Sequence, residues 1–149
     1  MDVVLVEPEI PQNTGSIARL CAATESPLHL VGRLGFSLED RYLKRAGLDY
    51  WPHVRLSVHA DWDAFVAARR PERVIAFSAH GEKSYTRIAF RADDALVFGG
   101  EARGLPDDLR RRLAPLWRIP MSGRAVRSLN LANAVSVVVY EGLRQLGRA

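Results

Sequence analysis

The stretch DVVLVEPEIPQNTGSIARLCAATE, residues 2–25, carries two different periodicities on either side of a loop. Its opening run, Asp2 to Glu7, is rich in β-branched side chains and stops at Pro8, the pattern of a strand buried on both faces. Beyond the loop, Ile17, Leu20, Cys21 and Ala22 recur at helical intervals, and Asn13, Thr14 and Ser16 are each suited to cap the helix start. A fully buried strand leading into a helix is the first half of a parallel crossover unit. The stretch therefore predicts an α/β protein built on a mainly parallel sheet.

Downstream the same alternation repeats. PLHLVG (27–32) is a second strand closed by Gly32. SLEDRYLKRAG (37–47) sets Ser37 three residues ahead of Asp40, as in a capping box, and ends on Gly47, so a short helix is expected. VRLSV (54–58) is a third strand, and ADWDAFVAARR (60–70) a helix capped near Asp61 with Trp62, Phe65 and Val66 on its inner face. RVIAFSAHG (73–81) and DALVFGGEARGLP (94–106) each run from a strand into a loop, and PDDLRRRL (106–113) is a short polar helix begun by Pro106. LWRIPM (116–121) is a last strand. From Leu129 to Leu146 a closing helix is expected, with Leu131, Ala134, Val135, Val138 and Leu146 on one stripe. No repeat, charge block or linker interrupts the pattern, so residues 1–149 are expected to form one domain.

Composition narrows the partners. No apolar run approaches the roughly 18 residues of a membrane span, and MDVVLVEPE lacks the basic stretch of a secretion signal, so a cytoplasmic protein is expected. Cys21 is the sole cysteine, which excludes an internal disulfide, and His29, His53, His59 and His80 show no metal-ligand spacing; no metal is expected. The net charge is +4, and of the 21 basic residues only Lys44 and Lys83 are lysines. Arginine's planar fork binds phosphate oxygens in pairs, so this balance favours a phosphate-rich partner.

Three strand-terminating loops stand out: PEIPQNTGS, FGGEARGLP and IPMSGRAVRSLN. Ligands of parallel sheets bind where such loops gather. Gly99, Gly100 and Gly104 let a backbone approach a ligand closely, yet their spacing is neither a dinucleotide fingerprint nor a P-loop, which disfavours a nicotinamide-dependent oxidoreductase. Around Pro120, Ile119 and Met121 offer apolar walls for an adenine ring. Ser128 is a candidate helix cap, and Asn130 a candidate brace for a neighbouring loop.

Together PEIPQNTGSIARLC, LVFGGEARGLP and IPM with RSLNLANAVSVVVYE resemble the three signature motifs of the SPOUT-class RNA 2'-O-ribose methyltransferases. The likeness is greatest to the small single-domain enzymes that methylate the wobble nucleotide of certain tRNAs, and it takes in RAGLDYW (45–51) as well. The resemblance implies an α/β fold with a C-terminal deep trefoil knot, a homodimer packed through the first and closing helices, and S-adenosylmethionine as cofactor. It implies cofactor contacts at Phe77, Gly99, Ile119, Met121, Ser128 and Leu129, with Asn13, Glu101 and Asn130 supporting the active site. Tyr140 is expected near the partner subunit's active site, and the anticodon stem-loop of tRNA is the expected substrate. Arg33, Arg41, Arg45 and Arg103 are candidates for phosphate contacts.

The resemblance makes Arg19 the central catalytic residue. A guanidinium keeps its proton in proteins, so the role expected of Arg19 is cationic: gripping a substrate phosphate and stabilising negative charge as it develops on the 2'-oxygen. Two alternatives stand beside this one: a knotted RNA-binding protein without methyl transfer, and a 2'-O-methyltransferase of another RNA site.

Overall fold

The computed structural model describes residues 1–39, 43 and 50–149. Seven strands, β1 (Asp2–Val6), β2 (Leu28–Val31), β3 (Leu56–His59), β4 (Val74–Phe77), β5 (Lys83–Ser84), β6 (Ala95–Gly99) and β7 (Trp117–Arg118), form one sheet. Their order is β3-β2-β1-β6-β4-β7-β5, and every pairing is parallel. The expected α/β class is present. Parallel neighbours require crossovers, so all seven strands deliver their following loops to the same edge of the sheet.

The crossovers place α1 (Pro11–Thr24) and α4 (Leu131–Gln145) on one face, and α2 (Trp62–Arg69) and α3 (Asp107–Arg112) on the other. Strand β1 shows why its sequence does not alternate. Val3 and Leu5 pack with Ile17, Cys21, Val135 and Val139 of α1 and α4, while Val4 and Val6 pack with Phe65 and Leu109 of α2 and α3. All five residues of β1 are buried, which is what a central strand covered on both sides demands. At the other edge of the sheet Arg73 grips Asp94 through two bonds of 2.5 and 2.6 Å, tying the start of β4 to the start of β6.

Several local expectations change in the folded chain. Helix α1 begins at Pro11, so Asn13 and Thr14 lie buried inside its first turn and neither they nor Ser16 cap it. Proline at the first helical position is favoured because its missing N–H would have had no partner there. Asp61 does cap α2, accepting from the Ala64 N–H at 2.8 Å, but Val66 is 37% exposed and faces away from the core. An eight-residue helix leaning on Phe65 has one buried stripe, and Val66 falls beside it. The strand in LWRIPM shortens to Trp117–Arg118, and the two-residue β5 had no signal of its own. The closing helix is capped by Asn130, two residues beyond Ser128. Of the helix expected over 37–47, residues 40–42 and 44–47 lie outside the described residues, as do 45–49 of RAGLDYW. Among the described residues, no helix is long and apolar enough to cross a membrane.

Asp2, at the start of β1, is 3% exposed. Its carboxylate accepts from Arg69 and lies 3.7 Å from His29 Nε2, and His29 Nδ1 is in turn 3.0 Å from His59 Nε2. Burial pushes the Asp2 carboxyl up, but the His29 ring and the Arg69 guanidinium outweigh it and hold the pKa below the ordinary value. A carboxyl depressed in the folded state stabilises above its unfolded pKa, and that contribution is lost as pH falls through the folded value. Asp2→Asn therefore lowers the melting temperature near neutral pH. The gap from the parent, followed by circular dichroism, shrinks as pH drops below about 4.

Candidate active site

Register brings the loops together. Val6 pairs with Gly99, Phe77 with Phe98, and Phe77 with Trp117, so the loops after β1, β4, β6 and β7 emerge side by side. Between them lies a cavity of about 550 Å³. Phe77, Gly99, Ile119, Met121, Ser128 and Leu129 all line it, as do Asn13, Glu101 and Asn130. Segments more than a hundred positions apart thus share one wall. Phe77 and Phe98, both on its wall, stack with ring centroids 4.8 Å apart.

The loop after β6 doubles back on itself. Gly104 adopts φ 67 and donates its N–H to the Gly100 carbonyl at 2.9 Å. A Cβ on Gly99 would stand 2.1 Å from the carbonyl carbon of Gly104, so only glycine permits the return.

That loop presents Glu101 to the start of α1. The Glu101 carboxylate accepts from the backbone N–H of Glu9 at 2.7 Å and of Ile10 at 3.2 Å, and from Asn13 Nδ2 at 3.1 Å. A residue from across the fold thereby serves the helix end that has no side-chain cap of its own. Asn13 Oδ1 accepts from Asn130 Nδ2 at 2.9 Å, while Asn130 Oδ1 accepts from the N–H groups of Ala132 and Asn133 at 2.9 and 3.3 Å. Asn130 is both the cap of α4 and the expected brace.

The polarity of this chain is forced. Its one end, a carboxylate, only accepts, and its other, backbone N–H, only donates, so each amide between them has a single orientation that satisfies both neighbours. One N–H of Asn13 and one of Asn130 are consumed; among the described residues nothing accepts the second N–H of either. Two directed donors at a cavity wall suit an oxygen-rich ligand. The same wall carries Arg103, Arg110, Arg118 and Arg127.

Two expected residues stand apart. Arg19 is exposed on α1, off the cavity wall, with its guanidinium 5.3 Å from the centroid of the Tyr50 ring. Tyr50 donates its hydroxyl to the Gly15 carbonyl at 3.0 Å; burial raises its pKa, and Arg19 opposes that. Tyr140 is 50% exposed on α4, in a shallow hollow with Tyr85, Val137 and Arg144. The sequence reading gave no part to Glu9, Arg110, Arg118 or Arg127. A carboxylate two residues before Pro11 was the visible sign for Glu9, but its partners lie more than ninety positions away.

Residues 1–140 match the SpoU rRNA Methylase family. The chain belongs to this family. A tRNA (cytidine(34)-2'-O)-methyltransferase of Burkholderia pseudomallei is 51% identical over 149 residues, covering 98% of this chain and 96% of that relative. One of the same name from Escherichia coli is 46% identical, covering 99% of this chain and 94% of its own. Among solved structures, one concerned with the 2-OH methylation of C/U34 on tRNA superposes with a TM-score of 0.93 at 52% identity, covering 99% of this chain and 97% of that one. The SpoU methyltransferase AviRb from Streptomyces viridochromogenes, solved with AdoMet, superposes at 0.88 with 26% identity, covering all of this chain and 61% of its own.

In this SpoU family chain the doubled-back loop separates two glycine requirements. Gly99→Ala drives a methyl group into the Gly104 and Leu105 backbone, which cannot rotate aside, and costs about 3 kcal/mol in a urea titration. Gly104→Ala meets open space and carries only the backbone penalty of its positive φ, about 1 kcal/mol.

Proposed function

We propose that this protein transfers a methyl group from S-adenosylmethionine to the ribose 2'-hydroxyl of the wobble nucleotide of tRNA, position 34, a cytidine or modified uridine. The observation that carries this is the convergence of Asn13, Glu101 and Asn130 with the glycine-bearing and apolar cofactor positions on one cavity. Its volume, about 550 Å³, lies within the range of small-molecule sites. The lining fits the cofactor: Phe77, Ile119, Met121 and Leu129 offer apolar contact to an adenine and a methionine chain, and Gly99 admits close backbone approach. Among the described residues no cluster able to hold a metal is present. Bound there, S-adenosylmethionine supplies an electron-poor methyl group on a sulfonium.

The chain's own residues do the remaining work. The spare N–H groups of Asn13 and Asn130 orient the ribose and phosphate oxygens of the target, and Glu101 at one end of the relay with the Ala132 and Asn133 N–H groups at the other keeps the two amides turned that way. Alignment of nucleophile and methyl group carries most of the acceleration. Arg19, as a cation, grips a substrate phosphate and stabilises the negative charge developing on the 2'-oxygen. The hydroxyl proton leaves to a phosphate oxygen or to water.

Arg19 and Tyr140 lie outside the cavity of their own chain, so this mechanism includes a homodimer packed through α1 and α4. Exposed Val137 and Tyr140 on α4 support it, at 38% and 50%. The anticodon stem-loop lies along the arginines of the cavity rim, Arg103, Arg118 and Arg127 among them. Residues 1–149 act as one cytoplasmic domain whose C-terminal loops form the trefoil knot.

The direct test incubates the protein with labelled S-adenosylmethionine and bulk tRNA lacking the wobble mark, then locates the label by mass spectrometry. A 2'-O-methylated nucleoside at position 34 is expected; label at another site or none would refute it. Arg19→Ala lowers kcat at least about 100-fold. Cofactor affinity by calorimetry stays within about 3-fold of the parent, because Arg19 is not part of the cavity wall.

A further inference from the structure

Glu9 is half-buried at the end of the β1–α1 loop and is not part of the cavity wall. Its backbone N–H donates to Glu101 Oε2 at 2.7 Å, while its own carboxylate Oε2 accepts from the Ala102 N–H, also at 2.7 Å. The exchange is reciprocal: each loop's carboxylate holds the other loop's backbone. The Glu101 carboxylate takes three N–H groups from the β1–α1 segment, and the Glu9–Ala102 bond runs the opposite way, so it fixes the backbone that carries Glu101 as well as the carboxylate itself. The Glu9 backbone is braced from its far side too. Gly35 donates its N–H to the Pro8 carbonyl at 2.9 Å, and a Cβ on Gly35 would stand 2.8 Å from Glu9 Cα.

Glu101 is the acceptor end of the amide relay, so whatever directs its carboxylate directs the Asn13 amide, and with it the oxygen that Asn130 Nδ2 must reach. Held at Ala102, the peptide that follows Glu101 cannot turn without breaking the Glu9 bond. We propose that Glu9 is a positioning residue for methyl transfer: by holding the Ala102 N–H it aims the Glu101 carboxylate, and thereby the spare amide donors of Asn13 and Asn130, at the substrate. This rests on the function proposed above. Glu9 touches no reacting atom, so its removal acts on alignment, where a displacement of about 1 Å costs on the order of 100-fold in rate.

Three substitutions separate acceptor geometry from charge. Glu9→Ala removes the acceptor and lowers kcat roughly 30- to 100-fold, with KM for tRNA within about 3-fold of the parent. Glu9→Asp keeps the charge but falls one methylene short, and loses as much. Glu9→Gln keeps an oxygen for the Ala102 N–H and recovers kcat to within about 5-fold of the parent. In nitrogen-15-labelled protein the side-chain amide signals of Asn13 and Asn130 shift in the Ala and Asp variants and return toward the parent positions in the Gln variant. Parent-like kcat in Glu9→Ala or Glu9→Asp overturns the proposal, and so do equal losses in Glu9→Gln and Glu9→Asp. Should Glu9→Ala not fold, the Asp and Gln variants decide. Should the parent itself methylate no tRNA, the functional reading fails separately, and the amide signals still decide Glu9: shifted signals support its positioning role, unmoved ones refute it.

Discussion

A single carboxylate holds the site together. Glu101, carried on the loop after β6, takes two backbone N–H groups from the loop after β1 and one side-chain N–H from the first turn of α1. Those donors belong to a helix start that begins with Pro11 and has no local side-chain cap, so the loop would otherwise carry unmatched polar groups. One charged acceptor offsets that deficit and at the same time closes two loops onto each other. Charge-assisted bonds of this kind are the stronger sort, and here they span about ninety positions of chain.

The sheet makes this contact possible. Parallel pairing of β1 with β6 runs through Val6 and Gly99, so the two loops leave from neighbouring points and need only a few residues to meet. Gly99 then allows the returning backbone at Gly104 to pass where any side chain would block it. Rigid strands and a compact, doubled-back loop place the carboxylate on a fixed platform, and the amides of Asn13 and Asn130 inherit that rigidity. Binding groups supported in this way keep their direction when a ligand arrives, which is the condition for electrostatic preorganisation.

The cavity and the outer helix faces divide the expected residues into two sets. Cofactor positions and the amide relay belong to one chain's cavity, while Arg19 on α1 and Tyr140 on α4 face outward. Arg19 rests against Tyr50, whose hydroxyl ties back to Gly15, so even this exposed cation has a preferred direction. Beside Tyr140, α4 also exposes Val137, so the outward set on this helix sits on a partly apolar face.

The sequence by itself was enough for the α/β class, because a β-branched run covered on both faces and an apolar stripe at helical spacing are properties of neighbouring residues. Asp61 as a helix cap and the closing helix beyond Leu129 were legible for the same reason. The motifs also held most of the cavity wall, and the family resemblance added Phe77 to it. What they did not reveal was which polar group answers which. Asn13 looked like a cap for its own helix, and Ser128 for the next. In the fold Glu101 takes over the first role and Asn130 the second, with Asn13 linking them. Glu9 had no visible purpose until Ala102 was brought to it. Local patterns record which segments bury apolar surface, and that is decided within a few residues. The pairing of donors with acceptors across the sheet depends on strand order and register, and only the tertiary structure decides those.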